Sequence, residues 1–296
     1  MQAVILAAGR GSRLEPVTHH VPKPLIPFWG RPFITYLLQN LEDSVERVVV
    51  VDNPEGEVRD AVGNSYGSLA VDYTVQHDPQ GTGHAVLQTR GMLPEDPFIV
   101  LLADTCPPPQ TIHELVEAPG DAAVTVVEVD DPHNHGGVDM DEEGRVHALW
   151  TDSETVDAGM MRVPPDIYEV LDAVEPRRGE IRIMQAISDL LEAGRDVRAI
   201  MMPNPWLQFG DHERLNGVLR VMREIRNGEP APNSFDGSSV DVRAAEGCDI
   251  HNSLVFGPGE LINCTISNSM IYCSTRLENV RIDGKMTAFD GEVDTQ

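Results

Sequence analysis

Three short runs in the first 105 residues are apolar without a break: Ala3-Val4-Ile5-Leu6, Val48-Val49-Val50-Val51 and Phe98-Ile99-Val100-Leu101-Leu102. A strand with one wet face alternates apolar and polar residues. A run apolar on both faces is buried on both, which is the signature of a parallel sheet sandwiched between helices. The intervening segments agree. Pro32 precedes Phe33, Ile34, Leu37, Leu38 and Leu41, a helical stripe with proline at its start. Asp52-Asn53-Pro54 is a helix-start signal after the second run, residues 71–75 make a further strand, and a helix is expected over about residues 83–92. The fold class is therefore α/β, and in such sheets ligands sit at the carboxyl ends of the strands.

From about residue 122 to 161 the texture changes to strands separated by acidic turns, and helices return near residues 181–191 and 213–226. Beyond a Gly/Pro/Asn-rich stretch, apolar residues recur at Ile250, Val255, Leu261, Ile266, Ile271, Leu277 and Ile282, in steps of five or six. Asn252, Asn263, Asn268 and Asn279 each stand three positions before one of these. Asparagine tolerates the left-handed backbone of a tight corner, so the cadence predicts a hexapeptide β-helix of about three coils rather than a plain small sheet. The expected division is 1–227 for the α/β domain, 228–238 for a linker and 239–290 for the β-helix. So short a β-helix suits stabilisation or homo-oligomer assembly better than an activity of its own.

The formal net charge is −26, and only two of the 22 basic residues, Lys23 and Lys285, are lysines. Such a surface repels phosphate backbones and anionic membranes, so neither nucleic acid nor membrane is expected as a partner. Abundant acid with almost no lysine suits molar salt, where the screening length falls to about 3 Å. There is no apolar run long enough for a membrane span, no basic leader at the N-terminus and no C-x-x-C among the four cysteines. Cytoplasm is the expected compartment.

Four segments carry chemistry. Leu6-Ala7-Ala8-Gly9-Arg10-Gly11-Ser12-Arg13-Leu14 follows a buried strand with residues small enough to bring backbone N–H groups close to phosphate oxygens, and Arg13 adds a planar fork suited to phosphate. Pro22-Lys23-Pro24-Leu25 holds a lysine between two prolines that stiffen its backbone. Gln76-His77-Asp78-Pro79-Gln80-Gly81-Thr82-Gly83-His84-Ala85 offers an amide that matches a pyrimidine edge and a Gly-Thr turn able to close over a base. Leu101-Leu102-Ala103-Asp104-Thr105 sets a carboxylate at a strand end, where it can hold Mg²⁺ on phosphates.

In order and spacing these segments resemble the sugar-1-phosphate nucleotidyltransferases, notably the archaeal glucose-1-phosphate thymidylyltransferase and N-acetylglucosamine-1-phosphate uridylyltransferase types. The resemblance implies a Rossmann-like, mostly parallel nucleotidyltransferase domain with a short C-terminal left-handed β-helix. It implies transfer of a nucleotidyl group from a nucleoside triphosphate, UTP or dTTP, to a sugar-1-phosphate. Leu6, Ala7, Ala8, Gly9, Gly11, Ser12 and Arg13 are then the phosphate loop, with Arg13 and Lys23 catalytic. Gln76, Gly81 and Thr82 read the base, Asp104 holds Mg²⁺, and Gly136, Asp157, Gly159 and Glu180 meet the sugar.

The sequence departs from the family pattern at several points. The family's Glu-Lys-Pro falls near Thr151-Asp152-Ser153, and Met184-Gln185 replaces a closing Thr-Asp. Gln208 stands where a second metal-holding carboxylate is usual, so its amide oxygen is the expected second metal ligand. The loss of charge at Ser153 and Gln208 gives the alternative reading, a non-catalytic relative that binds nucleotide or nucleotide sugar and regulates an active partner.

Overall fold

The computed structural model describes residues 1–129, 136–203, 208, 219, 234, 235 and 238–290. The helix expected near 213–226 and most of the linker lie outside them. The described chain divides into two compact units that are not contiguous in sequence: Met1–Gly9 with Tyr36–Trp206, and Arg10–Thr35 with Leu207–Gln296.

The first unit is built on a ten-stranded sheet. Its strands are β1 (Gln2–Leu6), β2 (Arg47–Asp52), β3 (Ser65–Tyr66), β4 (Leu69–Val75), β5 (Phe98–Leu102), β6 (Ala122–Glu128), β7 (Gly137–Met140), β8 (Val146–Thr151), β9 (Thr155–Val163) and β10 (Val197–Met201). The order is β8-β7-β9-β5-β1-β2-β4-β3, with β6 pairing β9 and β10 pairing β6. The central four, β5-β1-β2-β4, are parallel, with Ala3 opposite both Val48 and Ile99. Three of them, β1, β2 and β5, are the uninterrupted apolar runs, and Val4, Ile5, Val49, Val50, Ile99 and Val100 are all buried. The flank is antiparallel where β9 meets β5 and β6.

The helices are α1 (Phe33–Leu41), α2 (Glu57–Val62), α3 (Thr82–Leu87), α4 (Pro109–Val116), α5 (Ile167–Ala173) and α6 (Ile183–Glu192). The helix-start signal at Asp52-Asn53 is realised in side-chain bonds: Asp52 accepts the Arg59 N–H at 3.0 Å, and Asn53 Oδ1 accepts that of Gly56 at 3.0 Å. The expected helix over 83–92 is shorter. After Leu87 the chain tightens, with the Arg90 N–H bonding to Leu87 O, and Thr89 is drawn inward to the Tyr168 hydroxyl at 2.8 Å. No helix among the described residues is long and apolar enough to cross a membrane.

In the second unit the repeat winds into a three-sided parallel β-helix, consistent with the short left-handed form. Successive short strands visit three sheets in turn, and stacked partners lie 15 or 16 residues apart, as Val240↔Val255, Val255↔Ile271, Leu261↔Leu277 and Ile250↔Ile266. The interior is the predicted apolar set, with Ile250, Val255, Leu261, Ile266, Ile271, Leu277 and Ile282 buried. All four asparagines turn corners at positive φ: 46° at Asn252, 51° at Asn263, 49° at Asn268 and 58° at Asn279. Gly247 and Gly284 do the same at φ 64° and 62°, Gly247 completing the column of Asn263 and Asn279 and Gly284 that of Asn252 and Asn268. Ser238, Ser253 and Ser269 form an internal ladder, each hydroxyl accepting an N–H from the next coil at 3.0–3.2 Å. That ladder satisfies buried backbone which the apolar repeat alone leaves out.

Candidate functional site

Because β1, β2, β4 and β5 are parallel, the residues that follow them lie on one edge of the sheet. The chain leaves β1 with the Ala7 N–H donating to Val51 O at 2.9 Å, while Leu6 O accepts the Ala103 N–H at 3.1 Å. The turn after Leu6 and the half-buried Asp104 are thereby brought to adjacent strand ends. Ala7 and Ala8 are buried. A Cβ added to Gly9 would meet nothing within 4 Å, so the space over that backbone is open.

The Gln76 N–H donates to Asp52 O at 3.1 Å on the same edge, and Gln76 is only 3% exposed. Its amide nitrogen donates to Gly81 O at 3.1 Å and lies 2.9 Å from His84 Nδ1. The residue expected to read a base thus also holds the Gly81 turn closed. Gly81 has φ 98°, which favours glycine, and Thr82 opens α3.

This loop is stitched to the segment bearing Glu180. Gln80 O accepts the Ile181 N–H at 2.8 Å, Ile181 O accepts the Gly83 N–H at 2.8 Å, and Thr82 Oγ1 accepts the Ile183 N–H at 3.1 Å. The structure therefore brings Gln76, Gly81, Thr82 and Glu180 together, with the exposed Glu180 carboxylate 3.0 Å from Arg182. Gln185, which departs from the family pattern, has a structural use: its side-chain oxygen accepts the Arg182 N–H at 2.9 Å and caps α6.

Gly136, Asp157 and Gly159 form a second group in this unit. Gly136 O accepts the Asp157 N–H at 3.1 Å, and the Asp157 carboxylate accepts the Gly159 N–H at 2.9 Å. Burial pushes the Asp157 carboxyl up to about 6, with the Gly159 N–H pulling it partly back. Gly159, at φ 87°, faces Leu102 and Thr105, which bracket Asp104. Ser153, at the family's Glu-Lys-Pro, has its hydroxyl accepting the Thr155 N–H at 3.2 Å and its backbone nitrogen close beside Gly137.

Trp150 was not singled out by sequence reasoning. It is 44% exposed, holds φ 64°, and its ring edge lies 3.0 Å from where a Gly136 Cβ would stand. A tryptophan directly beside the departure at residues 151–153 is the signal that could have found it.

The remaining candidates belong to the second unit. Gly11, at φ 65°, opens a tight turn over Ser12–Leu14 that carries Arg13, and its carbonyl accepts the Thr18 hydroxyl at 3.1 Å. A Cβ on Gly11 would lie 3.2 Å from Lys23 Cβ, so Gly11 and Lys23 are brought together. Lys23 opens the turn Lys23–Leu25 and Gln208 is half-buried. Among the described residues no group of three or more His, Cys, Asp or Glu side chains gathers at metal-binding distance.

A parallel sheet with small-residue turns, a carboxylate and a stitched Gly-Thr loop along its carboxyl edge defines an α/β protein of the nucleotide-binding kind. The nucleotidyl transferase family matches residues 2–224. A glucose-1-phosphate thymidylyltransferase of Streptomyces griseus is 31% identical over 274 residues, covering 87% of this chain and 77% of that protein. The low-salt glycan biosynthesis nucleotidyltransferase Agl11 of Haloferax volcanii is 28% identical over 258 residues, covering 82% and 72%. A solved UDP-glucose pyrophosphorylase bound to UDP-glucose shares the fold with TM-score 0.67 at 21% identity, over 77% of this chain and 99% of that one. The chain belongs to the nucleotidyl transferase family.

Proposed function

We propose that this chain transfers a nucleotidyl group from UTP or dTTP to a sugar-1-phosphate, releasing pyrophosphate and forming a nucleotide sugar. The observation that carries the reading is the shared edge: the turn after Leu6, the Gln76-to-Thr82 loop and Asp104 all follow parallel strands, and Glu180 is tied to that loop. The activities by which the relatives are named point the same way.

The chemistry needs no general base. A sugar phosphate, with a second pKa of about 6, is largely dianionic at neutrality. One of its oxygens attacks the α-phosphorus, the α–β bridging bond breaks, and pyrophosphate leaves with that electron pair. The protein's work is alignment and charge neutralisation. The backbone of residues 6–13 cradles the phosphates, Arg13 and Lys23 meet their charge, and the loop through Gly81 and Thr82 takes the base. Gly136, Asp157, Gly159 and Glu180 take the sugar. The Asp104 carboxylate and the uncharged amide oxygen of Gln208 would hold Mg²⁺ together with substrate phosphates, and the ion would supply neutralisation of phosphate charge.

The test is pyrophosphate release in molar KCl with Mg²⁺, crossing UTP, dTTP, GTP and CTP with glucose-, N-acetylglucosamine- and mannose-1-phosphates. Turnover with UTP or dTTP is expected. No turnover with any pair, alongside clear nucleotide-induced thermal stabilisation, would instead identify the regulatory relative, the reading that the uncharged Ser153 and Gln208 favour. The acid-rich, lysine-poor surface is proposed as salt adaptation, with a melting temperature that rises steadily with KCl.

A further inference from the structure

We infer that the β-helix is the rigid seat of the segment bearing Lys23, with Tyr272 a positioning residue for nucleotidyl transfer; this rests on the role proposed for Lys23.

Residues 10–35 fall in the same compact unit as the β-helix rather than with the strands on either side of them in sequence. Specific contacts hold them there. The His20 ring stacks on Tyr272 with centroids 4.5 Å apart and planes within 6°, and His20 Nε2 lies 3.3 Å from Asp290. The Trp29 N–H donates to the buried Ser239 hydroxyl at 2.7 Å. An open groove of about 570 Å³ beside Tyr272 is lined by Val21, Leu25 and Pro27 together with Phe256, Pro258 and Tyr272.

Tyr272 is well placed to fix a position. It sits in a strand whose neighbours in the stack are Phe256 and Ala288, and its ring meets the edge of the buried Phe256 at 5.9 Å. Only Val21 and Pro22 separate His20 from Lys23. The His20 and Val21 N–H groups both bond to Val17 O, and Leu25 bonds back to Pro22 O at 2.8 Å. With prolines at 22 and 24 the connection has little freedom. A shift of His20 is therefore passed to Lys23, and displacements of about 1 Å at a reacting group cost on the order of 10²-fold in rate.

The experiment uses the full chain. Tyr272→Ala is expected to lower kcat roughly tenfold with the nucleotide KM changed less, a partial loss of the positional effect. Tyr272→Phe, which keeps the stack, retains activity, and His20→Ala reproduces the loss from the other partner. In a Lys23→Ala background Tyr272→Ala should have no further effect, since residues acting through one group are not additive. A multiplicative loss there, or wild-type kcat in Tyr272→Ala, overturns the inference. A second readout needs no turnover. The chain has only two lysines, so the acetylation rate of Lys23 can be measured against Lys285 within the same molecule by mass spectrometry. A changed Lys23-to-Lys285 ratio in Tyr272→Ala, with an unchanged far-UV spectrum, supports positioning, and an unchanged ratio overturns it. If the wild-type chain turns nothing over, the enzyme reading fails while the acetylation ratio still decides whether the β-helix seats Lys23.

Discussion

The carbonyl oxygen of Ile181 accepts the Gly83 N–H at 2.8 Å and lies 2.5 Å from where a Cβ on Gly81 would stand. The loop proposed to take the base is thus closed against backbone, which cannot swing aside as a side chain can. Gly81→Ala meets that oxygen and a φ of 98° together, at a cost of about 1–3 kcal/mol for the backbone strain alone. A lower melting temperature and a nucleotide KM raised tenfold or more are expected. A variant that melts lower but binds nucleotide normally would remove this loop from the site.

The stitch between Gln80 and Ile181 joins segments a hundred residues apart, which bears on what the sequence can disclose. Periodicity identified the buried strands, because a strand covered on both faces has no polar position to spare, and it placed the β-helix corners, because few residues besides glycine and asparagine accept a left-handed backbone. The Gly-Thr motif was equally legible. Its partner across the chain was not, since a backbone-to-backbone bond leaves no mark on residue choice. Nor does a linear reading reveal that residues 10–35 group with the β-helix, because the contacts that hold them, such as His20 with Tyr272 and Asp290 and the Trp29 N–H with the Ser239 hydroxyl, join residues far apart in sequence. Gln185 looks like a lost family residue until its capping bond to Arg182 is seen.

Asp157 predicts a pH dependence. Its carboxyl sits at about 6 against an ordinary value of 3.8, so between those values the folded chain keeps a proton that the unfolded chain has lost. Stability therefore falls as pH rises from about 4 to about 6, by up to about 3 kcal/mol, and stays lower above. Asp157→Asn keeps an acceptor for the Gly159 N–H and has no charge to bury. Denaturant unfolding should find it close to wild type near pH 4 and more stable at pH 7.5. Equal shifts at both pH values would place the effect elsewhere.

Trp150 holds a left-handed φ of 64° while leaving 44% of itself exposed. Strain of that kind in a bulky residue persists only where the surroundings impose it, and it is concentrated at functional sites. Its ring lies against Gly136, which is proposed to meet the sugar, so on that proposal Trp150 would offer the sugar an apolar face. Trp150→Ala should raise the sugar-phosphate KM about 3- to 10-fold, the scale of one aromatic contact, with little change for nucleotide, and Trp150→Tyr should recover part of it. An unchanged sugar-phosphate KM would take the indole off the sugar's path.

Lys23 is the residue on which the proposed chemistry depends most. An ammonium that neutralises charge developing on transferring phosphate acts on the rate more than on ground-state binding, because the charge is redistributed only in the transition state. Lys23→Ala should therefore lose about two orders of magnitude in kcat, the scale of one preorganised charge contact, while equilibrium nucleotide binding changes much less. Lys23→Arg keeps the charge but presents a planar fork on a longer arm, so it should recover little of the loss. Gly11, its neighbour in space, offers an internal control. Gly11 would set a Cβ 3.0 Å from Thr18 Cγ2 and 3.2 Å from Lys23 Cβ, so Gly11→Ala should displace the same lysine without removing it. A kcat loss in Gly11→Ala that vanishes in the Lys23→Ala background assigns both effects to one group, and unchanged turnover in Lys23→Ala removes the lysine from the mechanism.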